Sequence, residues 1–172
     1  MPPMHPTAEE LGALRAEFEA LVGGRKVVLM GVGNELRGDD GIGVLLAECL
    51  VGRAGPPVFV TFDLPEDYAV TVSDLRPEVV LVLDAADFGG EPGQARIFRA
   101  QDIPPTPGVT HRPSLEMLAR FLELDAGAET WVLGVQPDMT RVGLGDQMSE
   151  PVAHALAELE ALLAALLSDG CA

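Results

Sequence analysis

The apolar residues of the chain follow two patterns that alternate along its length. Five short runs predict strands, and four of them are rich in apolar and β-branched residues, as is typical of strands covered on both faces. The fourth run in chain order alternates apolar and polar residues, which predicts an edge strand. The five runs are 26–32, 58–63, Val79–Ala85, Ala95–Arg99 and 130–135.

Between these runs, apolar residues recur every three or four positions and predict helices. Thr7 and Glu10 form a capping-box motif, so we expect an amphipathic helix to begin there and to stop at Gly23 and Gly24. Ser114 is expected to cap a later helix. The remaining helices are expected over residues 42–50, 65–75 and 151–170.

Strands that alternate with helices predict an α/β fold. We expect a three-layer sandwich in which helices cover both faces of a mostly parallel five-stranded sheet. With 172 residues, the chain has room for one domain. Residues 1–25 would form a tail and an extra helix, and residues 26–168 the α/β domain.

Charge and composition narrow the class of protein. Asp and Glu number 27 against 11 Lys and Arg, a formal net charge of −16, which argues against a nucleic-acid binder and against a polybasic membrane anchor. Glu158 and Glu160 interrupt the longest apolar stretch, so no membrane span is expected. The first twenty residues carry four glutamates, unlike a signal peptide. Cys49 and Cys171 form no CxxC motif, and we expect a cytoplasmic protein.

Polar residues follow several of the predicted strands. In parallel α/β folds, ligands bind outside the carboxyl ends of the strands. Asp40 lies in the glycine-rich loop after the first strand, Asp63 ends the second and Asp84 ends the third. Gln136 follows the last strand, and His111 lies in the long loop before the fourth helix. These groups are therefore expected to meet at one edge of the sheet.

The glycine-rich loop at 31–43 allows more than one interpretation. A dinucleotide site would need a third glycine where this chain has Leu36, and Asp39 and Asp40 would repel a phosphate at the helix N-terminus. Asp63, an acid near the end of the second strand, keeps that hypothesis open. Helix capping needs only one aspartate. Two adjacent acids among glycines exceed that need.

Few residues of the chain are candidates for a catalytic or metal-binding role. The chain has no GxSxG or HExxH motif, and Cys49 falls on a predicted apolar helix face, so we interpret it as a core residue. Asp40, Asp84 and His111 remain, and their oxygen and nitrogen donors could hold a divalent transition metal with positions left open for a substrate. These residues alone choose neither the metal nor between an enzyme and a metal-sensing module.

Four separated motifs together resemble the [NiFe] hydrogenase maturation endopeptidases. They are GVGNELRGDDGIG at 31–43, VLVLDAAD at 80–87, Thr110-His111 and GVQPD at 134–138. Pro65-Glu66 and the LRP sequence at 75–77 also fit, and the likeness extends over residues 26–167. It is greatest to members that process the large subunit of hydrogen-evolving hydrogenases.

The resemblance implies a protease that removes a short C-terminal extension from the hydrogenase large-subunit precursor after nickel insertion. Asp40, Asp84 and His111 are then the nickel-recognition residues, and the nickel comes with the precursor. Asp39 is the neighbouring acid, expected to orient the loop, and Asp39 and Asp40 are our candidate catalytic residues. Gly33, Asn34 and Gly41 are expected to shape the loop. The family also implies a monomer.

We favour attack by water, activated by a carboxylate such as Asp40, because the motifs of covalent proteases are absent. Three alternatives remain at this point. The first is a nucleotide-binding α/β module. The second is a non-catalytic nickel chaperone or sensor that uses Asp40, Asp84 and His111 as a stable site. The third is an acidic interaction protein, which leaves the four motifs unexplained.

Overall fold

Five strands form one sheet in the computed structural model, which describes residues 6–103, 112–141 and 145–168. The strands are β1 (Val27–Val32), β2 (Val58–Phe62), β3 (Val79–Ala85), β4 (Ala95–Arg99) and β5 (Glu129–Val135). The helices are α1 (Ala8–Val22), α2 (Ile42–Leu50), α3 (Ala69–Asp74), α4 (Arg112–Ala126) and α5 (Glu150–Ser168). Short 3₁₀ segments occupy Glu35–Gly41, Pro65–Tyr68 and Ala100–Asp102.

The strand order in the sheet is β2-β1-β3-β5-β4. All neighbouring pairs are parallel except β4 with β5, which is antiparallel. The central strands β1 and β3 are buried along their whole length, as their unbroken apolar sequences predict. The alternating strand β4 lies at the edge, also as predicted.

Helices cover both faces of the sheet, so the predicted α/β sandwich is confirmed. On one face, α1, α2 and α5 pack on residues such as Leu29 and Leu81. On the other, α3 and α4 pack on residues such as Met30 and Val82. Successive residues of a strand point to opposite faces, so each apolar run of β1 and β3 supplies both layers. Each face buries an apolar layer that stabilises the fold.

The N-terminal helix forms as its sequence predicts. Thr7 is its N-cap, and the reciprocal hydrogen bonds of the capping box join Thr7 and Glu10. Leu14, Phe18 and Leu21 are buried in the same apolar layer as α2 and α5. The extra helix therefore covers one face of the sheet.

Two glycines bring α2 against the sheet. A Cβ on Gly43, in the first turn of α2, would lie 2.0 Å from the carbonyl oxygen of Leu83 and 2.3 Å from that of Val32. A Cβ on Gly31 would lie 2.3 Å from the Cβ of Ala47. Only residues without a side chain fit at these two places. The start of α2 is thus held directly against the carboxyl ends of β1 and β3.

Two predicted elements differ from the structure. The fourth helix begins at Arg112, so Ser114 lies inside its first turn and is not its cap. Proline is tolerated in the first turn of a helix, and Pro113 therefore does not delay its start. The predicted helix over 65–75 is divided into the 3₁₀ segment Pro65–Tyr68 and the short helix α3.

The last helix passes a membrane-span test by length and apolar composition, with a mean hydropathy of 1.4. Glu158 and Glu160 therefore do not exclude a span on composition alone, and the expected absence of a span stays a prediction. In the structure, Val152, Leu159 and Leu163 of α5 are buried in the apolar layer shared with α2. Core helices satisfy the same composition test, so the test is weak evidence for a membrane span.

Candidate active site at the carboxyl edge of the sheet

The four parallel strands end at the same edge, and the loops that leave them carry the predicted site residues. The 3₁₀ segment Glu35–Gly41 follows β1 and contains both Asp39 and Asp40. Asp84 is the next-to-last residue of β3 and pairs in register with Gly134 of β5. The parallel topology therefore brings the three carboxylates to one edge, as the sequence predicts.

Asp39 is 6% exposed, and its carboxylate accepts three hydrogen bonds. The backbone N–H of Ser149 donates to Oδ1 at 2.6 Å, and the Ser149 hydroxyl donates to Oδ2 at 2.8 Å. The backbone N–H of Asp138 also donates to Oδ2, at 2.8 Å. Asp39 thus joins the loop after β1 to the loop after β5 and to the start of α5. This geometry agrees with its predicted role in orienting the loop, whereas its catalytic role stays a prediction.

Asp40 and Asp84 have a different environment. They are 7% and 1% exposed, and Oδ2 of Asp40 and Oδ1 of Asp84 are inaccessible to solvent. The start of α2 lies between their two segments, because Gly43 contacts the carbonyl oxygens of Val32 and Leu83. Burial disfavours the charged form of a carboxylate unless a partner compensates for the lost water. Buried carboxylates at the edge of a sheet, such as Asp40 and Asp84, are typical of functional sites.

The predicted third ligand, His111, lies outside the described residues. Within residues 6–103, 112–141 and 145–168, no group of three or more His, Cys, Asp and Glu side chains is arranged to hold a metal ion. The predicted set of Asp40, Asp84 and His111 therefore stays a prediction. Its two carboxylates lie at the same edge of the sheet.

The glycine-rich loop has the shape that its residues require. Gly33 has φ = 136°, and a Cβ there would lie 2.0 Å from the carbonyl oxygen of Asp40. The backbone N–H of Asn34 donates to that same oxygen at 3.2 Å. A Cβ on Gly41 would lie 2.7 Å from the Cα of Glu35. Gly33, Asn34 and Gly41 thus hold the backbone of Asp40 in place, as predicted.

The Asn34 side chain connects two loops of the edge. It accepts a hydrogen bond from the Leu36 backbone N–H at 3.0 Å and donates one to Oδ2 of Asp63 at 3.2 Å. Asp63 therefore braces the loop after β1. On sequence alone, Asp63 keeps the hypothesis of a dinucleotide site open. This contact with Asn34 gives Asp63 a structural role instead.

Gln136 organises the loop after β3, and the sequence did not reveal this. Its Oε1 accepts hydrogen bonds from the backbone N–H groups of Phe88 and Gly90, at 2.9 and 3.1 Å, and its Nε2 donates to Asp87 at 3.0 Å. Gln136 is 2% exposed. A buried amide in the GVQPD motif directly after an apolar strand was the available signal. The motif therefore positions the loop beside Asp84.

Glu66 joins the segment after β2 to α4. Its Oε1 accepts a hydrogen bond from the Ser114 hydroxyl at 3.2 Å, and its Oε2 is inaccessible to solvent. Ser114, predicted as a cap, has this contact instead. Because α4 begins at Arg112, Glu66 fixes the segment that directly follows position 111.

Cys49 is half-buried on α2 rather than fully in the core. Burial raises the pKa of its thiol, and the nearby Glu160 raises it further. At neutral pH the thiol stays protonated, which is unfavourable for a nucleophile. The interpretation of Cys49 as a non-catalytic residue is consistent with this environment.

The family model described as HycI, hydrogenase maturation protease, matches residues 64–166. A curated relative, the hydrogenase 3 maturation protease of Escherichia coli K12, is 39% identical over 132 residues, which cover 75% of this chain and 83% of the relative. The chain belongs to the hydrogenase maturation protease family. As a member of that family, it is a peptidase.

Solved structures of hydrogenase maturation proteases have the same fold. HycI from Thermococcus kodakarensis KOD1 superposes with a TM-score of 0.79 at 29% identity, covering 89% of this chain and 99% of that one. The solution structure of the Escherichia coli endopeptidase HycI gives 0.68 at 33% identity, covering 81% and 90%. The resemblance noted from the four motifs is therefore confirmed.

Membership in the hydrogenase maturation proteases also excludes two of the three alternatives. Neither a nucleotide-binding module nor an acidic interaction protein explains a match over residues 64–166. That segment contains Asp84, position 111 and Gln136. Asp39 and Asp40 precede it, so their assignment depends on the motif at 31–43 and on the geometry above.

Proposed function

We propose that this protein removes a C-terminal extension from the large-subunit precursor of a [NiFe] hydrogenase after nickel has been inserted. The observation that carries the proposal is the placement of two buried carboxylates, Asp40 and Asp84, at the carboxyl edge of the sheet in a maturation protease. Oxygen donors at a partly desolvated edge suit recognition of a divalent metal that a partner presents.

Nickel is part of the substrate in this proposal. Asp40, Asp84 and His111 complete the coordination of the precursor's nickel and thereby place its C-terminal segment against the protease. Positioning of this kind lowers the barrier by fixing the reacting groups before the chemical step. Asp39 contributes by holding the loop that carries Asp40, through its bonds to Asp138 and Ser149.

Hydrolysis in this proposal uses a water molecule. Asp40 accepts a proton as the water oxygen bonds to the scissile carbonyl carbon, and the amide C–N bond then breaks. The proton passes to the leaving amine, so the protease returns to its starting state. In the same proposal the enzyme is cytoplasmic, as its two cysteines outside any CxxC motif favour, and it is a monomer, as the family resemblance implies.

The deciding experiment uses the purified protein with nickel-loaded and nickel-free precursor of the large subunit from the same source. Intact mass is read before and after incubation. We expect a C-terminal peptide to be lost from the loaded form alone. Cleavage of both forms would contradict nickel recognition. Tight binding of the loaded form without cleavage would favour a chaperone or sensor instead.

A further inference from the structure

Four large apolar side chains are exposed around the candidate active site. Leu36, Phe62, Leu64 and Met139 are 73%, 47%, 54% and 41% exposed. Phe62 is the last residue of β2, and the other three lie on the segments that follow β1, β2 and β5. We call these four residues the apolar rim. Large apolar side chains that cluster on a surface are a feature of binding sites.

Hydrogen bonds place the segments of the apolar rim side by side. The backbone N–H of Gly33 donates to the carbonyl oxygen of Phe62 at 3.1 Å. Asn34 joins Leu36 to Asp63, the residue between Phe62 and Leu64. On the other side, Asp39 holds the residue before Met139. The apolar rim therefore borders the segment that contains Asp40.

The backbone of Phe62 supports a role beyond folding. Its φ is 51°, in the left-handed region that bulky residues rarely adopt, while nearly half of its side chain is exposed. Glycine or asparagine would take this conformation with less strain. A strained, exposed aromatic side chain next to a site is a known mark of function.

Acidic residues alternate with the apolar rim along the chain. Glu35 precedes Leu36, Asp63 separates Phe62 from Leu64, and Asp138 precedes Met139. The cations nearby in sequence are Arg37 and Arg141, both exposed. With the buried acids behind it, this edge complements a ligand that is apolar and positively charged. Such complementarity guides partner choice and association.

We propose that the apolar rim binds an extended segment of the large-subunit precursor, next to the bond that is cut, in which apolar side chains alternate with or adjoin Arg and Lys. This inference rests on the proposed function and names the chemistry of the substrate segment. The apolar side chains of the segment cover Leu36, Phe62, Leu64 and Met139, and its cations face the acids between them.

The test compares Leu36→Ser and Phe62→Asn with the wild type in cleavage of nickel-loaded precursor. Each substitution is expected to raise KM about tenfold with a much smaller change in kcat, because binding contacts are lost while the reacting groups stay in place. Phe62→Asn is also expected to leave the melting temperature unchanged or higher, since asparagine tolerates the left-handed conformation.

Leu124→Ser is the matched control. Leu124 is 70% exposed, like Leu36, but it lies near the C-terminal end of α4, away from the candidate site. Its KM should equal that of the wild type. An equal rise in KM for Leu124→Ser and Leu36→Ser would overturn the assignment to the apolar rim.

Charge is tested separately. The KM of the wild type should rise several-fold between about 50 mM and about 300 mM salt, and Glu35→Gln should weaken that dependence. A KM independent of salt would overturn the basic character of the segment. Sedimentation of the protein alone completes the test, because a dimer that Phe62→Asn dissolves would make a second copy the occupant.

These outcomes separate the two proposals. If the wild type leaves nickel-loaded precursor intact, the proposed function fails, and the occupant named here fails with it. If the wild type cleaves the precursor and both Leu36→Ser and Phe62→Asn keep the wild-type KM, the apolar rim inference alone is wrong.

Discussion

The two edges of the sheet hold their carboxylates in opposite ways. At the amino edge, Glu129 accepts hydrogen bonds from Arg25 at 3.2 Å and from the Trp131 indole at 3.1 Å, and Arg99 lies 3.4 Å from it. These side chains are partly exposed and electrically matched. At the carboxyl edge, Asp39, Asp40 and Asp84 are buried. The amino edge matches its carboxylate with partly exposed cations, whereas the carboxyl edge gathers three buried acids at the candidate site.

The carboxyl edge contains a further contrast between neighbours in sequence. Asp39 is satisfied by backbone and hydroxyl donors from two distant loops, and so it supports the fold. Asp40 instead has its backbone carbonyl held by the glycine-rich loop, through the N–H of Asn34, and its side chain is 7% exposed at the edge of the sheet where the substrate is proposed to bind.

Neutralising Asp40 is expected to have the largest effect on activity. We expect Asp40→Asn to lower the rate of precursor processing by about 100-fold or more, because the asparagine amide is a weaker metal ligand and cannot accept a proton. Stability should change little. Asp67→Asn, which neutralises an exposed acid on the adjoining segment, is the control and should process normally. Cleavage by Asp40→Asn at the wild-type rate would contradict the assignment.

Neutralising Asp39 is expected to lower the stability of the fold, whereas neutralising Asp40 is expected to lower activity. Asp39→Asn places an amide NH₂ against donors that now meet a carboxylate, and we expect a loss of about 3 kcal/mol in the free energy of unfolding. Urea denaturation at neutral pH measures it. Ser149→Ala, which removes the hydroxyl donor alone, should cost about 1 kcal/mol. If Asp39→Asn unfolds at the same urea concentration as the wild type, Asp39 is not the structural member of the pair.

The smallest effect on stability is expected at the amino edge, from neutralising Glu129. The Trp131 indole, and then Arg25 and Arg99, lower the pKa of Glu129 below its usual value. Its stabilisation is therefore present above the unfolded-state pKa and is lost as the pH falls through the folded-state pKa. Glu129→Gln should cost less than about 1 kcal/mol at neutral pH, since the group is partly exposed. The difference in melting temperature between Glu129→Gln and the wild type should therefore shrink as the pH falls. A difference that stays constant with pH would contradict this prediction.

The sequence predicted the strands well because β1 and β3 are buried on both faces, so their apolar character is continuous. It also placed Asp40 and Asp84 at one edge, since parallel strands end together. It could not distinguish Asp39 from Asp40. The partners of Asp39 are 99 and 110 positions away along the chain, and no local pattern records such contacts.

Helix boundaries were predicted where local chemistry decides them. Thr7 and Glu10 cap α1 by contacts within one turn, and this was foreseen. Ser114 was misread because its preference for an N-cap yields to a tertiary hydrogen bond with Glu66. The role of Gln136 was missed for the same reason, because its partners belong to another loop.

The network around Gln136 has a consequence for how such proteases diverge. Because one buried amide unites the loops that flank Asp84, these loops behave as a single rigid frame and adapt poorly to different substrates by moving. New preferences must then arise by exchanging the side chains displayed on that frame. After gene duplication, two copies of the enzyme could come to process different precursors through a few surface substitutions, while the fold stays the same.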